Sequence, residues 1–228
     1  MRIGDLDLGT YPLLLAPMED VTDASFRLLC KHFGADLVYT EFINSDGLIR
    51  GAASSIAKLE LCAEERPIAI QLYGQHLDAM VEATRIASDA HPDIIDLNFG
   101  CPVKKIAGRG AGAGMLRDIP LLLQITREVV RVAGAPVTVK TRLGWDDDNI
   151  CIDTLAEQLQ DLGIAALTIH GRTRAQMFSG HANWEAIARV KNNPRLQIPI
   201  IGNGDLLTVE NIANAFQKYG VDGVMIGR

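Results

Sequence analysis

The sequence predicts a single (β/α)8 barrel, and three observations support that prediction. Apolar, strand-like segments alternate with helical patterns along nearly the whole chain, and this alternation requires parallel strands joined by crossover helices. Eight strand-like segments can be counted, and the length of 228 residues is close to the roughly 250 residues usual for eight such units. The composition, 48% hydrophobic and 22% charged, supplies enough apolar residues for one large core.

Each predicted strand is a short apolar run bounded by glycine, proline or polar residues. In chain order the strands are residues 13–17, 36–41, 68–73, 94–98, 137–142, 166–170, 199–202 and 223–226. Amphipathic patterns predict the helices at residues 22–33, 52–61, 77–90, 119–133, 152–162, 184–191 and 209–219. A doubly wound sheet is the alternative, but the strand count and the lack of an early G-x-G-x-x-G turn favour the barrel.

The chain stops at Gly227-Arg228, directly after the eighth predicted strand. We therefore expect one catalytic domain over residues 1–228, a barrel truncated before its eighth helix.

Composition excludes several classes of protein. No apolar run approaches the roughly 18 residues of a membrane span, and acidic residues interrupt the amino terminus where a signal peptide would be apolar. A cytoplasmic protein is expected. Its four cysteines form no C-x-x-C pair, which argues against a disulfide framework and a structural zinc site. The net charge of −6 argues against an overall basic coat, so any nucleic-acid surface must be local.

The most informative segment is residues 98–105, Asn-Phe-Gly-Cys-Pro-Val-Lys-Lys. It follows an apolar run that reads as a buried parallel strand, and Gly100 and Pro102 force a turn around Cys101. Ligands bind at the carboxyl ends of strands in α/β proteins. A thiol at such a turn, with an amide side chain before it and two lysines after it, indicates a reactive site.

Other strand ends carry groups suited to a large polar cofactor. Gly202 ends the seventh strand, Gly204 follows it, and Arg228 follows the eighth strand, at places where barrels often bind phosphate. Lys140 lies within an apolar strand, so its ammonium is expected to reach the open end of the barrel. His170 opens the segment His-Gly-Arg-Thr-Arg at another strand end and is expected to contact a phosphate or a ring.

Two further groups near these strand ends are ambiguous. Arg172 and Arg174 could line a groove for a polyanion or could only solvate the rim. Residues 146–148, three consecutive aspartates, are interpreted as a solvated turn and not as a metal site.

With these residues in place, the chain resembles the tRNA-dihydrouridine synthases, flavoenzymes with an FMN-binding barrel. The matching segments, in family order, are residues 16–18, 21–23, 71–74, 96–102, 139–145, 169–174, 203–205 and 225–228. The elements N-x-G-C-P at residues 98–102 and H-G-R-T at residues 170–173 are the most specific; the others are shared among FMN barrels.

The resemblance implies a role for each matched residue. Cys101 would be the general acid. The FMN-binding residues would be Pro17, Met18, Glu19, Gln71, Lys140, His170, Asn203, Gly204, Asp205, Gly227 and Arg228. Asn98 would position the target uracil. Basic residues cluster near this face and are expected to be the other substrate contacts: Lys104, Lys105, Arg142, Arg172 and Arg174.

The resemblance also implies a reaction and its partners. NADPH would reduce FMN, reduced FMN would pass hydride from N5 to C6 of a uridine in tRNA, and Cys101 would protonate C5. The expected enzyme is a monomer that needs no metal and no membrane. The family's small carboxy-terminal helical domain, which helps to grip tRNA, is not expected within residues 1–228, so this chain on its own is expected to bind tRNA less tightly.

Two other functions compete with this one. A different FMN barrel, such as a dihydroorotate dehydrogenase or an ene-reductase, would act on a small molecule; Lys104, Lys105 and the H-G-R-T-R segment argue against it, since a small neutral substrate does not need them. The other alternative is a non-catalytic tRNA-binding or chaperone-like barrel, which predicts that Cys101→Ala leaves every activity intact.

Overall fold

The computed structural model describes residues 1–227. A short antiparallel hairpin, β1 (Arg2–Ile3) and β2 (Leu6–Asp7), precedes the main sheet. The strands of that sheet are β3 (Leu13–Leu15), β4 (Val38–Tyr39), β5 (Ile43–Asn44), β6 (Ile68–Tyr73), β7 (Ile94–Phe99), β8 (Val137–Arg142), β9 (Ala166–His170), β10 (Ile200–Asn203) and β11 (Gly223–Ile226).

The sheet is parallel and closes into a barrel. Its hydrogen-bonded order runs β4, β6, β7, β8, β9, β10, β11 and β3, and β5 extends the line of β4 along β6. Closure between β3 and β4 comes from a parallel bridge between Leu14 and Leu37, where the Leu15 N–H donates to the Leu37 carbonyl at 2.9 Å. The predicted eight-stranded (β/α)8 barrel is therefore confirmed, and a doubly wound sheet, which would stay open, is excluded.

Helices surround the barrel between successive strands. They are α1 (Ala24–His32), α2 (Ser45–Ile49), α3 (Ala53–Ala57), α4 (Leu77–Asp89), α5 (Lys104–Ala107), α6 (Ile119–Val132), α7 (Ile152–Asp161), α8 (Trp184–Lys191) and α9 (Val209–Gln217). Side-chain caps fix where several begin: Asp23 accepts from the Phe26 N–H at α1, and Asp118 accepts from the Leu121 N–H at α6.

Two predicted elements differ from the structure. The predicted helix over residues 52–61 ends after Ala57, and a separate helix, α2, precedes it; Gly51 between them has φ +72°, a left-handed conformation that ends a helix. The predicted strand over residues 36–41 is reduced to Val38–Tyr39, and pairing with β6 resumes only at Ile43. The loop after Cys101 contains the short α5 and a 3-10 helix, Gly112–Arg117, which the sequence did not predict.

The amino-terminal end of the barrel is closed by apolar side chains, which we call the floor. Ile3 from the hairpin and Leu8 just after it pack against buried side chains from the strands. Those side chains include Leu14, Leu37, Ala69, Ile94, Ala166, Ile201 and Met225. The opposite end, where the strands reach their carboxyl termini, is the mouth. No helix within residues 1–227 is long and apolar enough to cross a membrane.

Candidate active site

The strand register brings the predicted polar residues together in the barrel. Residues that pair across neighbouring strands lie side by side, and alternate residues of one strand share a face. The pairs in question are Gln71 with Asp96, Asp96 with Thr138, Asn98 with Lys140, Arg142 with His170, and Asn203 with His170. Polar groups from five consecutive strands, β6 to β10, therefore meet at or just below the mouth.

The loop that follows β7, residues 100–103, holds Cys101 at the mouth, and we call it the cysteine loop. The Asn98 side-chain oxygen accepts from the backbone N–H of Gly100 at 3.0 Å and of Cys101 at 2.9 Å. On the other side, the Cys101 carbonyl accepts from the Ala113 N–H at 3.0 Å. Cys101 is half-buried, whereas Asn98 is buried. The turn therefore has a fixed shape, and its thiol stays within reach of a ligand.

The environment of Cys101 favours the protonated thiol. Burial raises its pKa above the ordinary thiol value, although the Val103 backbone and the charges of Lys140 and Arg142 oppose that rise. A thiol with a raised pKa carries its proton at neutral pH. The chemistry that this arrangement supports is proton donation, since a nucleophilic cysteine needs a lowered pKa.

Below Asn98, hydrogen bonds link a row of buried side chains. The Asn98 amide nitrogen donates to Gln71 at 2.9 Å, Gln71 donates to Asp96 at 2.6 Å, and Thr138 donates to Asp96 at 2.5 Å. Burial raises the pKa of Asp96 to about 6, against the opposing effects of these hydrogen bonds and of Lys140. Sequence reasoning gave no role to Asp96 or Thr138; the available signal was a carboxylate two residues before Asn98 inside an apolar strand.

Gln71, predicted to contact the flavin ring, is fully buried and already bonded on both sides by this row. One of its two N–H donors remains available. Its contact with a cofactor therefore stays a prediction.

Lys140 places a cation in the mouth, as its position in an apolar strand predicted. Its side chain is partly exposed, and its Nζ donates to the Asn203 side-chain oxygen at 3.3 Å. Burial and the charge of Arg142 lower the pKa of Lys140 to about 8, while Asp96 and Cys101 counteract them. Lys140 is still mainly protonated at neutral pH.

His170 is neutral and tightly held. Burial and the charges of Lys140, Arg142 and Arg172 lower its pKa to about 2. An Arg172 guanidinium nitrogen lies 3.3 Å from its Nε2 atom, so Nε2 is the acceptor in a hydrogen bond and Nδ1 carries the proton. Asn203, which also faces the mouth, donates to the Met225 carbonyl at 2.7 Å.

Arg172 is a brace within the protein. It is buried, and it donates to the carbonyls of Ser179 and Gly180 and to Asp205 at 2.6 Å. Burial tends to raise the pKa of Asp205, but the Ala182 N–H and Arg172 hold it below its usual value. The substrate contact predicted for Arg172 stays a prediction that this geometry disfavours.

Arg142 is a second brace. It is 1% exposed and donates to three backbone carbonyls, of Gly100 at 2.7 Å, Thr173 at 2.9 Å and Met177 at 2.8 Å. It thus ties the cysteine loop to the loop after β9. A direct contact of Arg142 with substrate would break this tie, so its predicted substrate role is likewise disfavoured.

The glycines at the end of β10, Gly202 within the strand and Gly204 just after it, serve packing. A side chain on Gly202 would lie 2.3 Å from the Trp184 ring, and one on Gly204, which has φ +117°, would lie 2.8 Å from Ala182 and 3.0 Å from His170. These glycines were expected to let an anion approach the backbone. In the structure, a side chain at either position would collide with its neighbours, which is reason enough for glycine. The contact with an anion stays a prediction.

Several predicted residues lie at the rim. Lys104 and Lys105 are exposed on α5, immediately after the cysteine loop. Arg174 is half-buried and lies over the ring of Trp145, 4.6 Å from its centroid, and Arg117 lies 4.3 Å from the same centroid. Of the predicted substrate residues, these two lysines and Arg174 are therefore the ones with surface at the rim.

The end of β3 supplies the remaining predicted cofactor residues. Pro17 and Met18 are half-buried. Glu19 is exposed, and its carboxylate oxygen lies 2.7 Å from the Nζ atom of Lys58. Glu19, Asp20 and Glu41 have carboxylate oxygens within 4.8 Å of one another, and Lys58 also lies 3.8 Å from Glu41. The Lys58 ammonium therefore balances part of the negative charge of these three carboxylates.

Gly227 follows β11 and is exposed, while Arg228, predicted to bind phosphate, lies outside the described residues.

Comparison with known proteins places this geometry in a family. The model of the dihydrouridine synthase family matches residues 14–228. A probable tRNA-dihydrouridine synthase of Rickettsia prowazekii is 42% identical over 229 residues, which cover all of this chain and 69% of that protein. The tRNA-dihydrouridine synthase B of Xanthomonas campestris is 42% identical over 227 residues, which cover 98% of this chain and 68% of that protein.

Among solved structures, morphinone reductase in complex with tetrahydroNAD matches with a TM-score of 0.66. The match covers 100% of this chain and 85% of the reductase, at 14% sequence identity. At that identity it supports the fold alone. The family model and the two synthases establish more: this chain belongs to the dihydrouridine synthase family.

Proposed function

We propose that this chain reduces the C5–C6 double bond of uridines in tRNA to 5,6-dihydrouridine, with FMN as cofactor and NADPH as reductant. The observation that carries the proposal is the half-buried Cys101 thiol, held at the mouth by Asn98 in surroundings whose burial raises its pKa. A positioned thiol of this kind suits the protonation that completes the reduction of a carbon–carbon double bond. The choice of tRNA as the substrate follows from its relatives, which are named as tRNA-dihydrouridine synthases.

The residues of the mouth fit a flavin. The Lys140 ammonium has three N–H donors, and within residues 1–227 its recorded acceptor is Asn203. A cation there stabilises the negative charge that a flavin ring gains on reduction. The neutral His170 and the uncommitted donor of Gln71 add hydrogen-bonding capacity without further charge.

The other residues proposed to hold FMN are Pro17, Met18, Glu19, Asn203, Gly204, Asp205, Gly227 and Arg228. When bound, FMN reduced by NADPH supplies the hydride for C6 of the uracil.

Cys101 then delivers its proton to C5. Its raised pKa keeps the thiol protonated before the reaction, and the charges of Lys140 and Arg142 stabilise the thiolate left afterwards. Asn98 holds the backbone on which the thiol sits and is proposed to help orient the uracil.

The target uridine must leave its stack to reach the mouth, as base-modifying enzymes require. Lys104 and Lys105 lie beside the cysteine loop and are proposed to contact the phosphates on either side of the extruded nucleotide. Arg174 is proposed to contribute at the rim. Arg142 and Arg172 are proposed to act on RNA only through the loops that they brace.

The test uses the purified chain with FMN and a transcribed, unmodified tRNA under anaerobic conditions. Bleaching of the flavin band by NADPH, followed by a gain of two hydrogen atoms per modified uridine in nuclease digests analysed by mass spectrometry, is the expected result. NADH in a parallel sample determines the preferred reductant.

Two other outcomes would replace the proposal. If the reduced flavin were reoxidised by a small α,β-unsaturated compound but not by tRNA, the chain would be a small-molecule reductase. Binding of tRNA without flavin uptake would indicate a non-catalytic RNA-binding barrel.

A further inference from the structure

A continuous row of hydrogen bonds runs upward inside the barrel from β8 to the cysteine loop. It passes from Thr138 to Asp96, Gln71 and Asn98, with donor–acceptor distances of 2.5, 2.6 and 2.9 Å, and ends at the backbone N–H of Gly100 and Cys101. Thr138, Asp96, Gln71 and Asn98 are each at most 5% exposed. Water therefore cannot readily replace a missing partner, and each bond in the row must be made within the protein.

The upper end of the row fixes its direction. Backbone N–H groups can only donate, so the atom of Asn98 that faces Gly100 and Cys101 must be its oxygen. The Asn98 nitrogen then points to Gln71 and needs an acceptor, which must be the Gln71 oxygen. The Gln71 nitrogen is consequently turned towards Asp96.

The lower end of the row fixes the same direction. An ionised carboxylate only accepts, so Asp96 can be satisfied by the Gln71 nitrogen but not by its oxygen. Without an acceptor at this place, the buried Gln71 nitrogen has two costly alternatives: it stays unpaired in its present orientation, or the amide turns over and sets its nitrogen against the Asn98 nitrogen. Asn98 would then lose the partner that keeps its oxygen under the cysteine loop.

We propose that Asp96 is a positioning residue for Cys101: as an obligate acceptor it sets the orientation of the Gln71 and Asn98 amides, and through them the shape of the cysteine loop. Asp96 does not touch the thiol and takes no part in proton transfer. The importance of this positioning for catalysis rests on the proposed function, but the positioning itself can be measured on the thiol alone.

The first experiment compares Asp96→Leu with Asp96→Asn in the purified chain. Both variants remove the charge, but only asparagine keeps an oxygen that can accept from Gln71, because its own amide nitrogen can donate to the Thr138 hydroxyl. The readout is the rate of iodoacetamide alkylation of Cys101, followed by peptide mass spectrometry as a function of pH. Cys151, half-buried and also in a loop at a helix start, is the reference thiol in the same sample.

We expect Asp96→Leu to speed alkylation of Cys101 about fivefold to tenfold relative to Cys151, the effect of losing one buried hydrogen bond. The pH midpoint of its alkylation should fall towards the ordinary thiol value, because a looser loop buries the thiol less. Asp96→Asn should stay within twofold of the parent. Equal acceleration in both variants would mean that the charge of Asp96 matters and the row does not.

A second set of variants guards against loss of folding in Asp96→Leu. In Asp96→Asn/Thr138→Val the asparagine nitrogen has lost its acceptor at residue 138, so the amide can turn over. The double variant should accelerate Cys101 alkylation at least threefold more than the product of the two single effects. Thr126→Val removes another buried hydroxyl bond, to the Leu122 carbonyl within α6, and controls for general destabilisation.

Unchanged alkylation in both Asp96→Leu and the double variant would overturn the positioning role. None of these measurements uses FMN, NADPH or tRNA. A failure of the proposed reaction would therefore leave the alkylation result standing, and the two failures can be told apart.

Discussion

The floor and the mouth of the barrel are made from the same strands but from opposite chemistry. Along β7, alternate residues pass from Ile94 in the apolar floor to Asp96 in the buried row and to Asn98 under the cysteine loop. The floor is sealed by Ile3 from the hairpin. One strand thus supplies stability at its beginning and function at its end, because its side chains alternate with a period of two.

Cys101→Ala should have the largest effect at the mouth. Loss of the proton donor is expected to lower dihydrouridine formation by about 10²- to 10⁴-fold, the usual contribution of a general acid. Flavin absorbance and the urea midpoint of unfolding should match the parent, because a half-buried thiol contributes little packing. Turnover at the parental rate would remove Cys101 from the mechanism.

Ile3→Ala should have the largest effect at the floor. Removal of a fully buried isoleucine is expected to lower the free energy of unfolding by about 3 kcal/mol. Urea unfolding measures this change, and Leu207→Ala, at a residue 75% exposed, should cost less than about 0.5 kcal/mol. The turnover of folded Ile3→Ala should equal that of the parent; a slower reaction would show that the two ends are coupled.

Arg142→Met tests whether the mouth is purely functional. Removal of the guanidinium leaves the carbonyls of Gly100, Thr173 and Met177 without their donor. We expect the free energy of unfolding, measured in urea, to fall by about 2 kcal/mol. The matched control is Arg189→Met, whose exposed pair with Asp153 should contribute at most about 1 kcal/mol. Equal costs in the two variants would mean that the brace is dispensable.

Lys104→Ala/Lys105→Ala should have the smallest effect, and that effect should be confined to RNA binding. Two lost phosphate contacts should weaken tRNA binding and reduce the slope of log affinity against log salt by about 1.5. Filter binding over a range of salt concentrations measures both. Arg85→Ala/Arg131→Ala, on the outer helices α4 and α6, should leave affinity and slope unchanged; an identical loss would indicate general charge and not a local contact.

Much of the fold could be predicted because buried parallel strands are continuous apolar runs, and eight of them alternate with helices. Closure was predicted together with the barrel, but the residues that close it, at the bridge between Leu14 and Leu37, were not. The floor was also missed. Its hairpin strands have two residues each, too few for a periodic pattern, and their partners lie far away in the sequence.

The site was predictable where the signal was local. Cys101 and Asn98 stand out because a turn, a thiol and an amide occur within five residues. Asp96 was missed because its role depends on pairing with Gln71, which strand register alone decides. Arg142 and Arg172 were assigned to substrate because an arginine at a strand end has the same sequence signature whether it faces RNA or backbone carbonyls.

The chain has two tryptophans, Trp145 in the loop after β8 and Trp184 at the start of α8. Trp145 lies between the guanidinium groups of Arg117 and Arg174, while Trp184 stacks on Tyr219 and donates to the Gly204 carbonyl at 2.9 Å. Each indole is thus an intrinsic fluorophore with its own surroundings, Trp145 between two arginines and Trp184 beside the loop after β10. With Trp145→Phe and Trp184→Phe as single-tryptophan variants, a fluorescence titration shows which of the two surroundings responds when a nucleotide or an RNA binds.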